Sequence, residues 1–299
     1  MFPAPLTYLL DVQQLPTVAA REYMFHELAA IGIEHIVLSD QMMCEIKKEM
    51  GFHAAETLAK QVKEAGLDFV DAHAPFSPQL DLCCPDQTMR PFLLASHRLH
   101  IEICAMMGVS TLTIHVGNMH RYAKPGGERM EVQPFLDLTC EALAELLPLA
   151  EKRGVTICIE NIWNPNNQPE QLLYVKGQFP TDALGFCFDA GHANIMEKKT
   201  DSPESNANVC WGLCGLPVKW QTSVVEEMLP HIVNCHLHDN NGLIDQHITP
   251  GLGNVDWKRI VTQLRKAPRL QNIQCEVISI RKCQPFTKVK AAFDRLAEL

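Results

Sequence analysis

The 299-residue chain is 46% hydrophobic and 20% charged, enough apolar content for a large core and a length that one large α/β barrel or two average domains would fill. Its formal net charge of −9 argues against a general nucleic-acid backbone binder, which carries a basic face. The opening Met1-Phe2-Pro3-Ala4-Pro5-Leu6 lacks a signal peptide's cationic start, and no apolar run approaches the roughly 20 residues needed to cross a bilayer, so a cytoplasmic location with no membrane partner is expected.

In chain order, apolar strand-like runs alternate with stretches of helical period. The predicted strands are Leu6 to Val12, His35 to Ser39, Asp68 to Ala74, Thr111 to Val116, Thr156 to Ile162, Gly185 to Asp189, Ile232 to Leu237 and Ile273 to Ile278. The helices that follow them are predicted at Val18 to Ala30, Ala54 to Ala65, Met89 to Met107, Val132 to Lys152, Gln168 to Val175, Val224 to Leu229, Trp257 to Lys266 and Thr287 to Leu296. Gly32, Gly66, Gly108 and Gly154 each close a helix before the next strand, where a left-handed residue costs glycine little.

Strand then helix, eight times over, predicts a single (β/α)8 TIM barrel spanning 1–299. A doubly wound sheet would place a glycine-rich turn after the first strand, where this chain reads Val12-Gln13-Gln14-Leu15-Pro16. Residues 197–221, with Pro203, Pro217 and two tryptophans, show little helical period and are expected to form a long insertion after strand six, either a lid or a contact between copies of the chain. Of the twelve cysteines, Cys158, Cys187, Cys235 and Cys275 sit inside apolar strands, as small buried hydrophobes do, and Cys83, Cys84, Cys210 and Cys214 are not spaced as a zinc ribbon.

Nine residues able to hold a divalent cation fall at or just after predicted strand ends: His73, His115, Glu160, Asp189, His192, His236, Asp245, His247 and Glu276. In such a barrel the loops after the strands build the site. A carboxylate ending an apolar strand, as Glu160 and Glu276 do, costs several kcal/mol unless a cation or hydrogen bonds compensate it. Asp189-Ala190-Gly191-His192 can turn a carboxylate and an imidazole toward one point, and strand alternation puts His236 and His238 on one face. Asp256 reads as the N-cap of the helix that begins at Trp257.

At these residues the chain resembles the xylose isomerase-like barrels, which include sugar phosphate isomerases and epimerases, ketose 3-epimerases, inosose dehydratases and nucleases of the endonuclease IV type. The resemblance runs from His73 through Glu276. It implies one divalent cation (manganese, cobalt or zinc) on Glu160, Asp189, His236 and Glu276. The nuclease branch implies three zinc ions, with His73, His115, His192, Asp245 and His247 as further ligands; otherwise these residues bind substrate or a second metal. The chain departs from the ketose 3-epimerases in carrying Asn166 where they have a second glutamate, and Gly242 where they have an arginine.

The expected activity is that of a metal-dependent sugar isomerase or epimerase working through an enediolate, with Glu160 and Glu276 exchanging the proton. His238 is expected to bind hydroxyls, and Trp163 and Phe76 to wall one sugar face. A lyase or dehydratase acting on a keto-inositol or keto-glycoside needs the same enediolate, while a zinc phosphodiesterase acting on abasic DNA meets the objection of the acidic charge. Arg121, Lys124, Gly126 and Gly127, after strand four, could receive a phosphate, or could be solvated loop residues.

Overall fold

The computed structural model describes residues 1–15, 17–48, 52–124 and 128–299; Gly126 and Gly127 of the phosphate-binding stretch lie outside them. Eight parallel strands close a barrel in sequence order: β1 (Leu6–Tyr8), β2 (His35–Leu38), β3 (Asp68–His73), β4 (Thr111–Ile114), β5 (Thr156–Glu160), β6 (Leu184–Asp189), β7 (Ile232–Leu237) and β8 (Asn272–Cys275). Closure runs through β1 and β8, with Thr7 beside Gln274 and Tyr8 beside Cys275.

Around the barrel lie α1 (Val18–Ala30), α2 (Asp40–Lys48), α3 (Phe52–Glu64), α4 (Arg90–Met106), α5 (Gln133–Arg153), α6 (Pro169–Gly177), α7 (Ala190–Glu197), α8 (Asn206–Leu213), α9 (Val224–Met228), α10 (Trp257–Leu264) and α11 (Phe286–Glu298). Gly32, Gly66, Gly108 and Gly154 take φ of 82, 84, 74 and 67°, the left-handed helix ends anticipated from their spacing. Asp256 caps α10 by accepting from Arg259 N at 3.1 Å. All twelve cysteines are free thiols. Among the described residues, no helix is long and apolar enough to cross a membrane.

Three helices fall outside the expected set. α2 buries Met42, Met43 and Ile46 directly after β2. α7 begins at the residue after β6, so Asp189-Ala190-Gly191-His192 is a strand end running into a helix N-cap. The expected irregular stretch 197–221 contains α8, whose sequence Asn-Ala-Asn-Val-Cys-Trp-Gly-Leu has no charged face to reveal a helical period. Ala207 and Trp211 of α8 pack with Ile195 and Met196 of α7 in a small core of their own, with Trp163 against it.

Barrel interiors of this kind are usually filled by branched apolar side chains. Here Thr111 Oγ1 donates to Asp71 Oδ1 at 2.8 Å, Asn234 Nδ2 donates to Asp71 Oδ2 at 2.9 Å, and Asn272 Nδ2 donates to Thr111 Oγ1 at 2.7 Å. Burial pushes the Asp71 carboxyl up to about 6. This polar layer lies two residues along β3 and β7 below His73 and His236, so the barrel's strand ends are built for polar groups.

Candidate metal centre

Glu160 ends β5, Asp189 ends β6, His236 lies near the end of β7, and Glu276 follows β8. One ligand atom of each lies within 4.8 Å of the other three. His236 Nδ1 stands 3.0 Å from Glu160 Oε1, 3.4 Å from Glu276 Oε1 and 3.9 Å from Asp189 Oδ2. His192, His238, Asp245 and His247 form a second group with the same mutual reach, and His73 joins Glu160 and His236 in a third. His115 Nε2 stands 2.8 Å from Glu160 Oε2. The nine residues singled out by their strand positions therefore converge, and His238 joins them.

Main-chain carbonyls set the imidazole tautomers. His73 Nδ1 donates to Ala74 O at 2.8 Å, His192 Nδ1 to Asn161 O at 2.8 Å, and His247 Nδ1 to Glu276 O at 2.9 Å. In each case Nε2 is turned toward a carboxylate of the cluster, 4.0 Å from Glu160 Oε2 for His73 and 3.5 and 2.8 Å from Asp245 Oδ2 for His192 and His247, which is how a metal-binding histidine is oriented. Asn161 also clasps the end of β6, donating from Nδ2 to Asp189 O and accepting from Asp189 N. Asp189 in turn caps α7 by accepting from His192 N at 2.6 Å. His247 takes φ of 47°, and its ring stacks on that of His238 with centroids 3.9 Å apart. A non-glycine residue in that region costs on the order of 1–3 kcal/mol and persists where its surroundings enforce it.

The electrostatics call for a cation. Burial and then the charges of Glu160, Asp189 and Asp245 push the Glu276 carboxyl well above the usual range. Burial also opposes ionisation of Glu160, but His236 and His115 outweigh it and hold that carboxyl well down. His192 is pushed up to about 10: burial disfavours its charge, and Asp189 and Asp245 overcome that penalty. In the absence of metal, protons supply the positive charge these carboxylates need. Asp245 Oδ1 is buried without a hydrogen bond, and a mixed carboxylate-imidazole donor set fits manganese, cobalt or zinc.

A cavity of about 180 Å³ opens above the cluster, with Glu160, Glu276, His192, Phe76 and Trp163 among its lining. Phe76 stacks on His115 with centroids 4.4 Å apart, and Trp163 meets His192 edge-on at 4.8 Å. His238 is fully buried, does not line this cavity and lies within ligand reach of His192, Asp245 and His247. A larger groove of about 730 Å³ lies on the outer flank beside α11 and the loop before α10, and no residue of the cluster faces it.

Sequence reading passed over two contributors, Asn118 and Asn206, and offered Arg121 as a phosphate contact or a solvated loop residue. Asn118 and Arg121 line the cavity, and Arg121 is thus in the site wall. Asn206 on α8 accepts from Asp245 N through Oδ1 at 2.9 Å, so the 197–221 segment holds a cluster residue. The two departures also have structural places. Asn166 ties two loops, donating to Gly117 O at 2.9 Å and accepting from Met119 N at 3.3 Å. Gly242, at φ 77°, lies so close to Lys198 that a Cβ would stand 2.7 Å from Lys198 Cγ.

An uncharacterized protein of Methanocaldococcus jannaschii is 27% identical over 198 residues, 65% of this chain and 59% of that protein. This chain therefore spans less than two thirds of that relative's length. Among solved structures, a D-tagatose 3-epimerase-like protein superposes with a TM-score of 0.73 at 20% identity, covering 99% of this chain and 97% of the other. The 3-keto-D-glucoside 4-epimerase of E. coli superposes with a TM-score of 0.70 at 12% identity, covering 99% and 100%. At these identities the likeness shows a shared fold. The family described as the xylose isomerase-like TIM barrel matches residues 25–299, and the chain belongs to it.

Proposed function

We propose that this chain is a divalent-metal-dependent sugar isomerase or epimerase that moves a proton next to a carbonyl. The observation that carries the reading is the convergence of Glu160, Asp189, His236 and Glu276, from four strands, within 4.8 Å. The sugar epimerases among its structural neighbours support it. Glu160, Asp189, His236 and Glu276 would hold the cation, which when bound polarises a carbonyl and stabilises the enediolate.

The remaining work falls to the side chains. Glu160 and Glu276 line one small cavity from different strand ends, an arrangement in which one carboxylate can take a proton while the other gives one. His192, with Nδ1 fixed on Asn161 O, presents Nε2 to a sugar hydroxyl or to a second cation. Trp163 and Phe76 wall the cavity and limit water.

The test pairs metal content per chain with hydrogen exchange of ketoses and keto-glycosides in D2O. Expected are about one tightly held manganese, cobalt or zinc per chain, lost in Glu160→Gln, with any second cation on the His192 group held more weakly, and solvent deuterium entering substrate in wild type but not in Glu276→Gln. Full turnover by Glu276→Gln with its metal in place sinks the assignment. The second ligand group, His192, His238, Asp245 and His247, favours one alternative, a zinc phosphodiesterase acting on abasic DNA. Two or three zinc ions per chain, one of them lost in His247→Ala, together with cleavage of an abasic duplex, would establish it. Product analysis separates epimerisation from elimination.

A further inference from the structure

The part of the cavity wall that follows β4 carries a set of groups that the proton transfer does not use. Arg121 is the one lysine or arginine among the described lining residues. Its guanidinium pairs with Asp81, at 3.5 Å, and makes no hydrogen bond among the described residues. Asp81 is buried at 1% exposure and is itself held: Tyr122 Oη donates to Asp81 Oδ2 at 3.0 Å and Asn118 N donates at 3.4 Å. Gly117, at φ 106°, makes room for it, since a Cβ there would stand 2.4 Å from Asp81 Cβ. The guanidinium is thus anchored on one side, and its other donors are available to a ligand.

Beside it, a directed chain of hydrogen bonds ends in the same cavity. His120 Nδ1 donates to Asn164 Oδ1, and Asn164 Nδ2 donates to Asn118 Oδ1 at 2.9 Å. With its oxygen accepting from Asn164, Asn118, which lines the cavity, keeps Nδ2 as a donor. The chain starts at the 197–221 segment, where Cys210 Sγ on α8 lies 3.9 Å from His120 Nε2. Asn164 is fully buried, so these orientations are not averaged by solvent.

A fixed amide N–H beside an anchored guanidinium matches an oxyanion. Guanidinium forks pair with carboxylate and phosphate through parallel bonds. A neutral sugar needs no such group. A negatively charged one does, to offset the field of Glu160, Asp245 and Glu276, which line the same cavity.

We propose that Arg121 and Asn118 receive an anionic group, a carboxylate or a phosphate ester, of a monosaccharide whose carbonyl end lies at the carboxylate-imidazole cluster. This rests on the sugar-isomerase reading and narrows its substrate class to acidic sugars.

The test is calorimetric binding to manganese-loaded protein, comparing D-glucuronate with D-glucose and D-fructose 6-phosphate with D-fructose, at low and moderate salt. Wild type binds at least one acidic member about tenfold or more tightly than its neutral parent, and the preference weakens with salt. The preference vanishes in Arg121→Gln, returns in part in Arg121→Lys and shrinks in Asn118→Leu, with metal content unchanged in all three. Which pair shows it separates carboxylate from phosphate. Absence of an acidic preference in both wild-type pairs, or a preference unchanged in Arg121→Gln, overturns the proposal. So does binding of an abasic duplex, dependent on Arg121, without measurable binding of either acidic sugar. Deuterium exchange into neutral ketoses without acidic preference refutes the anion receiver and leaves the isomerase standing; acidic preference without any exchange does the reverse.

Discussion

Gly191 and His238 meet so closely that a methyl group on the glycine would stand 2.0 Å from imidazole Cε1. The glycine lies in the first turn of α7, where its backbone is helical. The helix itself tolerates alanine there and gains up to about 1 kcal/mol of propensity. The imidazole cannot yield, because it is fully buried, stacks on His247 at 3.9 Å and faces Asp189 Oδ2 at 3.1 Å. Gly191→Ala is therefore expected to keep the fold but lower the melting temperature by several degrees, since overpacking of this kind costs about 1–3 kcal/mol. Metal bound by the group containing His238 should fall about tenfold or more in affinity. Wild-type affinity in a folded Gly191→Ala protein would show that His238 does not contribute.

What the sequence made legible here was Asp189 and His192, because both sit at a strand end with a chemistry-bearing side chain. The glycine between them carries no side chain, and its requirement comes from a residue 47 positions away, just past the end of β7. The same holds more widely. Strand order, the four glycine helix ends and the nine converging residues could be read because each follows from local period or strand position. α8 and the Asn206 tie to Asp245 could not. They depend on contacts between loops of different units, for which apolar periodicity carries no signal.

Acid should unfold the protein partly through His97. This ring is buried on α4, donates from Nε2 to Leu80 O at 2.8 Å, and is pushed down to about 4 by burial. The unfolded chain takes up a proton near the ordinary value of 6.5, whereas the native state stays neutral. Stability is thus complete above about 6.5 and lost as pH falls toward about 4, by about 3 kcal/mol in all. Its neighbour His100, pushed down for the same reason, acts in the same direction. His97→Gln keeps a donor for Leu80 O but cannot titrate. Urea midpoints at pH 7.5 and pH 5 in chelator should differ less in this variant than in wild type; equal differences would remove His97 from the account.

Asp239 fastens the loop between β7 and α10. Its Oδ2 accepts from Gly251 N at 2.8 Å and Trp257 Nε1 at 3.0 Å, and its Oδ1 accepts from Asn240 N at 2.9 Å and Val255 N at 3.1 Å. Asp239→Asn would turn an NH2 toward two of these donors. Bonds to a charged acceptor are worth about 1.5–3 kcal/mol each, so a loss of at least 2 kcal/mol in urea unfolding is expected. Cleavage by trypsin at Lys258 or Arg259, at the start of α10, should quicken alongside it. Unchanged stability in Asp239→Asn would contradict the anchoring role.

Asn206 provides the sharpest separation between the two ligand groups. It joins α8 to the loop of Asp245 and His247 by two bonds: its Oδ1 accepts from Asp245 N at 2.9 Å, and its own N donates to Leu243 O at 2.8 Å. Asn206→Ala removes only the first. Asp245 belongs with His192, His238 and His247, whereas Glu160, Asp189, His236 and Glu276 form a group without it. The substitution is therefore expected to weaken metal in the His192 group by about tenfold, the cost of a lost supporting contact, while the Glu160 group keeps its affinity. Competition with a graded chelator series, following two release steps by absorbance of the cobalt-loaded protein, reads both at once. If both steps shift together, the two groups behave as one cooperative cluster and α8 supports the whole of it.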